Sequence, residues 1–173
     1  TSASHTISGE AYGNGVYETW ESTGYTYGSS FLGGYTAFNT STVIGYHSTH
    51  NYTVGVFNGT FNNDGGNLTT LAYTGDWIKI KMPIYINLTK YALKQRLYNS
   101  GQETILNRAP KDYRIYGSND NINWTILQDR SGANAITSSD YNSSYLYEES
   151  VSTTGEYQYF IIIVNQLLGN QTS

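Results

Sequence analysis

The chain has 173 residues, a length that suits one domain with a sizeable core. Only 13% of the residues are charged, the net charge is −4 and no Lys/Arg cluster occurs, which argues against nucleic acid or an anionic membrane as the main partner. There is no Cys, so no disulfide and no thiolate metal site, and no apolar run approaches the roughly 20 residues of a spanning helix.

The chain starts at Thr1, without Met or a signal peptide, and reads as a processed product or an excised domain. After a small, polar start and a turn at Gly13-Asn14-Gly15, residues 16–22 read as a first strand. Tyr17 and Thr19 share one face of it, Glu18 and Trp20 the other. Residues 23–36 form a Gly-rich loop carrying Tyr25, Tyr27, Phe31 and Tyr35. Two readings stay open for these aromatics: a cap folded over the core, or a projecting contact loop. Ala37-Phe38 and Gly45-Tyr46-His47-Ser48 flank a short turn. His47 and His50 lie close together, but no Asp or Glu joins them at a metal-ligand spacing, so a structural or sugar-contacting role is the better expectation.

Residues 49–76 form a long connection in which Val54 and Val56 mark one short strand or hairpin. Asn62 to Gly66 is a strong turn signal. From residue 78, Ile78, Ile80, Met82, Ile84, Ile86 and Leu88 recur at spacing two, with Lys79 and Lys81 between them. That is the pattern of a half-buried antiparallel strand. Pro83 marks an edge or a bend. The apolar phase then moves to Tyr91, Leu93 and Leu97, which predicts a turn near Thr89-Lys90 and a new strand. A helix over 88–98 is the competing reading, and the β-rich surroundings favour the strand.

A polar loop over 98–110 carries Glu103 and Arg108. Pro110 to Leu127 then reads as a hairpin, with Tyr113 and Ile115 alternating with Arg114 and Tyr116 before a turn at Gly117 to Asn121. A second polar region, 128–156, carries Tyr141, Tyr145 and Tyr147. The chain's most apolar run, Tyr157 to Val164, reads as a central strand buried on both sides. Eighteen Tyr and 18 Gly against two Pro fit the same picture, an all-β domain with long polar loops.

Four segments in this order carry a family resemblance: Ala37-Phe38-Asn39, Tyr46-His47-Ser48, Gly75-Asp76-Trp77-Ile78-Lys79-Ile80, and Pro110 through Trp124 with its Gly-Ser-Asn-Asp-x-x-x-Trp core. The chain resembles the discoidin family, the type C domain of coagulation factors, over roughly residues 10 to 168. Its start looks like discoidin-type domains on surface or fibre proteins of large DNA viruses. The resemblance implies a single domain over 1–173, an antiparallel jelly-roll β-sandwich of the galactose-binding-like type. It also implies a further strand after Asn170 to Ser173, so the chain is expected to be a fragment of a longer protein or to lack its closing strand. Tyr46 stands where the family usually has Trp. Asn39 stands where sugar-binding members often have a calcium-associated Asp, which counts against calcium, and no cofactor is expected.

The implied activity is non-catalytic binding of a cell-surface glycan or glycoprotein by loops 23–36, 46–60 and 98–109. Tyr25, Tyr27, Phe31, His47, His50 and Arg108 are the candidate contacts. The alternatives are a shell, fibre or decoration unit with capsid, fibre or self-association partners, or the targeting module of a larger enzyme. The chain has no G-x-S-x-G elbow, H-E-x-x-H or phosphate loop, so it is not expected to be an enzyme itself. Asn-x-Ser/Thr triplets at Asn58, Asn67 and Asn142 are the better glycosylation candidates. An extracellular or virion-surface location follows, with no membrane insertion.

Overall fold

The computed structural model describes residues 2–8, 14–27, 30–38, 52–95 and 105–169. Among these, twelve strands form: β1 Ser2–Ile7, β2 Gly15–Glu21, β3 Tyr25–Tyr27, β4 Ser30–Leu32, β5 Tyr52–Thr53, β6 Val56–Phe57, β7 Asp76–Ile86, β8 Lys90–Lys94, β9 Pro110–Ser118, β10 Trp124–Arg130, β11 Leu146–Ser150 and β12 Tyr157–Leu167. Short 3-10 turns and no α-helix accompany them, and every strand pairing is antiparallel. The expected all-β sandwich is the observed architecture.

The apolar run is its centre. β12 pairs with β7 on one edge and β9 on the other. β7 continues outward through β2 to β1, and β9 through β10. One face of this sheet packs Tyr113, Ile115, Leu127 and Phe160 against Tyr147 of β11, Ile136, Tyr141 and Val151, with Tyr91 and Leu93 of β8 at the margin. β8 and β11 form the facing ribbon, in register from Lys90↔Ser150 to Lys94↔Leu146. The second face is covered as well. Ile161, Ile163, Trp77 and Tyr116 pack there against Leu68, with Phe61, Leu71 and Tyr73 from the segment before β7. A strand covered on both faces has no side that favours polar residues, which is why Ile161 to Val164 runs uninterrupted.

That second layer corrects the half-buried reading of β7 and extends burial to both alternating sets of β9. Lys79, expected on a solvent face, is only 1% exposed, and Tyr116 is buried like its neighbours Tyr113 and Ile115. Three elements go beyond the sequence reading. β1 precedes the expected first strand and pairs along it, residues 23–36 contain the β3–β4 hairpin, and β11 lies within the second polar region. The strand preferred over a helix after residue 88 is β8. Pro83 lies where the register slips: Tyr157 pairs with Ile86 and Tyr159 with Lys81, so β7 bulges between them.

The β9–β10 turn is organised by one carboxylate. Asp120 Oδ1 accepts the backbone N–H groups of Ile122 at 2.9 Å and Asn123 at 2.7 Å. The Asn123 N–H first, then its side-chain amide and the Ile122 N–H, hold the Asp120 carboxyl well below the usual range. A depressed folded-state pKa means a contribution fully present above the unfolded value of about 3.9 and lost as pH falls from there through the lower folded-state value. Asp120→Ala is therefore expected to unfold at lower denaturant than the parent at pH 7, with the gap closing as pH falls below 4. A gap independent of pH would refute the carboxylate's role.

Candidate functional site

The ends of four core strands coincide. Glu21 of β2 pairs with Ile78, Asp76 of β7 with Val164, and Gln166 of β12 with both Asp112 and Val56. The chain leaving β2, the β5–β6 hairpin and the approach to β9 therefore emerge at one end of the sheet. These are the described parts of the three loops that the sequence selects.

Two buried carboxylates brace the first of them. Glu21 Oε2 accepts the N–H of Gly34 at 3.0 Å, where the chain returns from the β3–β4 hairpin. Asp76 Oδ1 accepts the Ser22 hydroxyl at 2.9 Å and the Thr23 hydroxyl at 3.3 Å. Ser22 Oγ in turn accepts the Trp77 N–H at 2.9 Å. Through one oxygen each, the two buried carboxylates tie the loop to the ends of β2 and β7. Asp76→Ala is expected to leave the Ser22 and Thr23 hydroxyls without this acceptor and to cost about 1–3 kcal/mol. Urea denaturation measures it, and an unchanged midpoint would remove Asp76 as a brace.

The β5–β6 hairpin turns at Val54 and Gly55, with φ of 51° and 74°. Gly55 has no alternative: a Cβ there would meet the Gly169 carbonyl oxygen at 2.2 Å. Leu167 N–H donates to Gly55 O at 2.8 Å and Gly169 N–H to Asn107 O at 3.0 Å. The hairpin, the end of β12 and the 3-10 turn Ile105–Arg108 are thereby stitched together. Val54 gains nothing from the core. It is a β-branched residue at positive φ and 60% exposed.

Of the predicted contact residues, Arg108 is exposed at the end of this 3-10 turn. Tyr25 and Tyr27 occupy register positions of one face of the β3–β4 hairpin, while Phe31, opposite Thr26, falls on the other. His47, His50, Asn39 and Tyr46 lie outside the described residues. The sequence reading passes over Phe38, Val54 and Val56 as contacts, yet all three are exposed large apolar side chains. Their signal is weak, since single apolar residues in polar segments read as local packing. Asn58 and Asn142 are exposed, whereas Asn67 donates its amide to Asp64 O at 2.9 Å. No group of three or more His, Asp or Glu among the described residues is placed to hold a metal ion. No helix among them is long and apolar enough to cross a membrane.

No family model matches the chain, and no curated protein matches it significantly. Solved structures do. A family 32 carbohydrate-binding module of Clostridium perfringens NanJ, in complex with galactose, superposes with a TM-score of 0.55 at 10% identity, covering 89% of this chain and 85% of that one. A second CBM32 domain from Clostridium perfringens, in complex with GalNAc-β-1,3-galactose, gives 0.54 at 11% identity, covering 89% and 87%. At such identities the likeness is one of fold, and the fold of this chain is that of the galactose-binding-like β-sandwich.

Proposed function

We propose that the chain is a non-catalytic module that binds a glycan or glycoprotein outside the cell through the loops at the end where β12 finishes. The observation that carries the reading is the convergence of the three loop segments on one braced end of the sheet. Two modules of the same fold were solved with galactose-containing ligands, which supports the ligand class. Tyr25 and Tyr27 supply aromatic faces for sugar C–H surfaces, and Arg108 supplies donors for hydroxyls. His47, His50 and Phe31 belong to the same proposal. The absence of catalytic motifs fits a module that acts alone or as the targeting part of a larger enzyme.

A glycan array probed with the full chain tests this. Binding to a galactose-type glycan is expected, and Tyr25→Ala, Tyr27→Ala and Arg108→Ala should each weaken it roughly tenfold, about 1.4 kcal/mol. Failure to bind any glycan, by a chain shown to be folded, would overturn it. The exposed Val54, Val56 and Phe38 favour a second reading, in which the aromatic and apolar loops hold neighbouring subunits of a shell or fibre. Light scattering separates the two: a monomer that binds sugar supports the first, and a sugar-blind oligomer broken by Val54→Asp supports the second.

A further inference from the structure

A lysine on the second face of the sheet has surroundings that neither sugar binding nor ordinary packing uses. Lys79 Nζ lies 4.6 Å from the centroid of the Trp20 ring and 5.8 Å from that of Trp77. It is ion-paired with Asp64 Oδ2 and donates to Asn121 Oδ1 at 2.8 Å. The three groups come from three places: strand β7, the turn before Leu68, and the β9–β10 turn. Both partners hold left-handed backbone, Asp64 at φ 55° and Asn121 at φ 62°. Amine, carboxamide and carboxyl thus meet beside two indoles, with the Lys79 amine buried and Asp64 and Asn121 half-buried over it.

We propose that Lys79 and Asn121 condense into an intramolecular amide cross-link, with Asp64 as the proton carrier. Burial favours the neutral amine and lowers the Lys79 pKa, against the pull of Asp64. Passing one proton across the ion pair gives a neutral amine and a neutral carboxylic acid with no change of net charge. The Nζ lone pair attacks Cγ of Asn121. The Asp64 carboxyl gives its proton to Nδ2, the Cγ–Nδ2 bond breaks, and ammonia leaves. Nζ returns a proton to Asp64, which ends as the acid. One C–N bond replaces another, so no oxidant or other co-reactant is needed. Holding the groups in contact supplies the proximity that a lysine and an amide in water lack. The link ties β7 to the β9–β10 turn in a chain that has no Cys for a disulfide.

The intact mass of the full chain is the primary test. It is expected to lie about 17 Da below the sequence mass, the loss of one ammonia. Trypsin does not cut after an acylated lysine, so residues 1–81 should stay joined to residues 115–130. Asp64→Ala should restore both the full mass and the separate peptides. Asn121→Asp should instead lose about 18 Da, as water. A wild-type mass equal to the sequence mass overturns the proposal. So does a loss of about 17 Da carried by residues 1–79 while residues 115–130 are released on their own, which would mark a cyclic imide at Asn14-Gly15 or Asn58-Gly59. The wild-type mass and peptide map need no variant, so they decide for or against the cross-link even where Asp64→Ala fails to fold.

Discussion

Trp77→Ala is expected to destabilise the fold by about 3–5 kcal/mol, a large part of the 5–15 kcal/mol typical of a domain. Trp77 is 2% exposed and packs with Leu68, Tyr116, Ile161 and Ile163 on the second face of the sheet. Its indole N–H donates to Asn62 O at 2.7 Å, fixing the segment that covers this face. Alanine would remove the largest side chain of the cluster and leave the Asn62 carbonyl without that donor. The loss is therefore expected to exceed that of Trp77→Phe, which keeps most of the volume and drops only the N–H. Urea unfolding should show a lower midpoint at unchanged slope for both variants, in that order. Equal losses would mean that the indole's volume carries nothing and the hydrogen bond carries the whole effect. An unchanged midpoint for Trp77→Ala would mean that the 61–75 segment is not a structural layer.

That layer is where the sequence is hardest to read. Alternation in β7 and the unbroken apolar run in β12 are strong period signals, and both are legible. The cover over the second face is not periodic. It is made by Phe61, Leu68, Leu71 and Tyr73, scattered among Asn, Thr and Gly. Without it, a lysine between two isoleucines reads as solvent-facing, as Lys79 does. β1 escapes notice for a related reason: Ser-Ala-Ser-His-Thr-Ile carries one large apolar residue, and its order comes from pairing with β2. β11 gives a short signal, in which Leu146 and Tyr147 are followed by two glutamates.

The candidate site is legible as loops rather than as contacts. Segment lengths and composition pick the stretches that the sheet gathers at one end, because loops between long antiparallel strands must leave at the strand ends. Sequence cannot say that Phe31 and the two tyrosines fall on opposite register faces, since that depends on a hairpin of three-residue strands. Nor can it show that Glu21 and Asp76 brace the loop from below. An acidic residue at the end of a strand ordinarily reads as exposed.

Glu149→Ala is expected to cost about 2–4 kcal/mol, because this carboxylate joins the two layers of the sandwich. Glu149 lies on β11 opposite Tyr91 of β8. It accepts the hydroxyls of Tyr91 at 2.5 Å and Tyr147 at 2.7 Å, and Arg130 Nε of β10 at 3.0 Å, with a second contact from the same guanidinium. Tyr91 is in turn bonded to Tyr113 of β9, hydroxyl to hydroxyl at 2.6 Å. Burial foremost raises the pKa of both tyrosines, so they stay protonated and remain donors at any physiological pH. Alanine would leave the Tyr147 hydroxyl and a guanidinium without this acceptor, and Tyr91 with only its bond to Tyr113. Arg130 is 31% exposed and recovers water, which keeps the expected loss below that of a fully buried pair. Glu149→Gln, which retains an acceptor, should lose less. A double-mutant cycle with Arg130→Ala separates the ion pair from the hydroxyls. Coupling below roughly 0.5 kcal/mol with a large Glu149→Ala loss assigns the stability to the tyrosines. A Glu149→Ala variant as stable as the parent would mean that apolar packing alone holds the ribbon to the sheet.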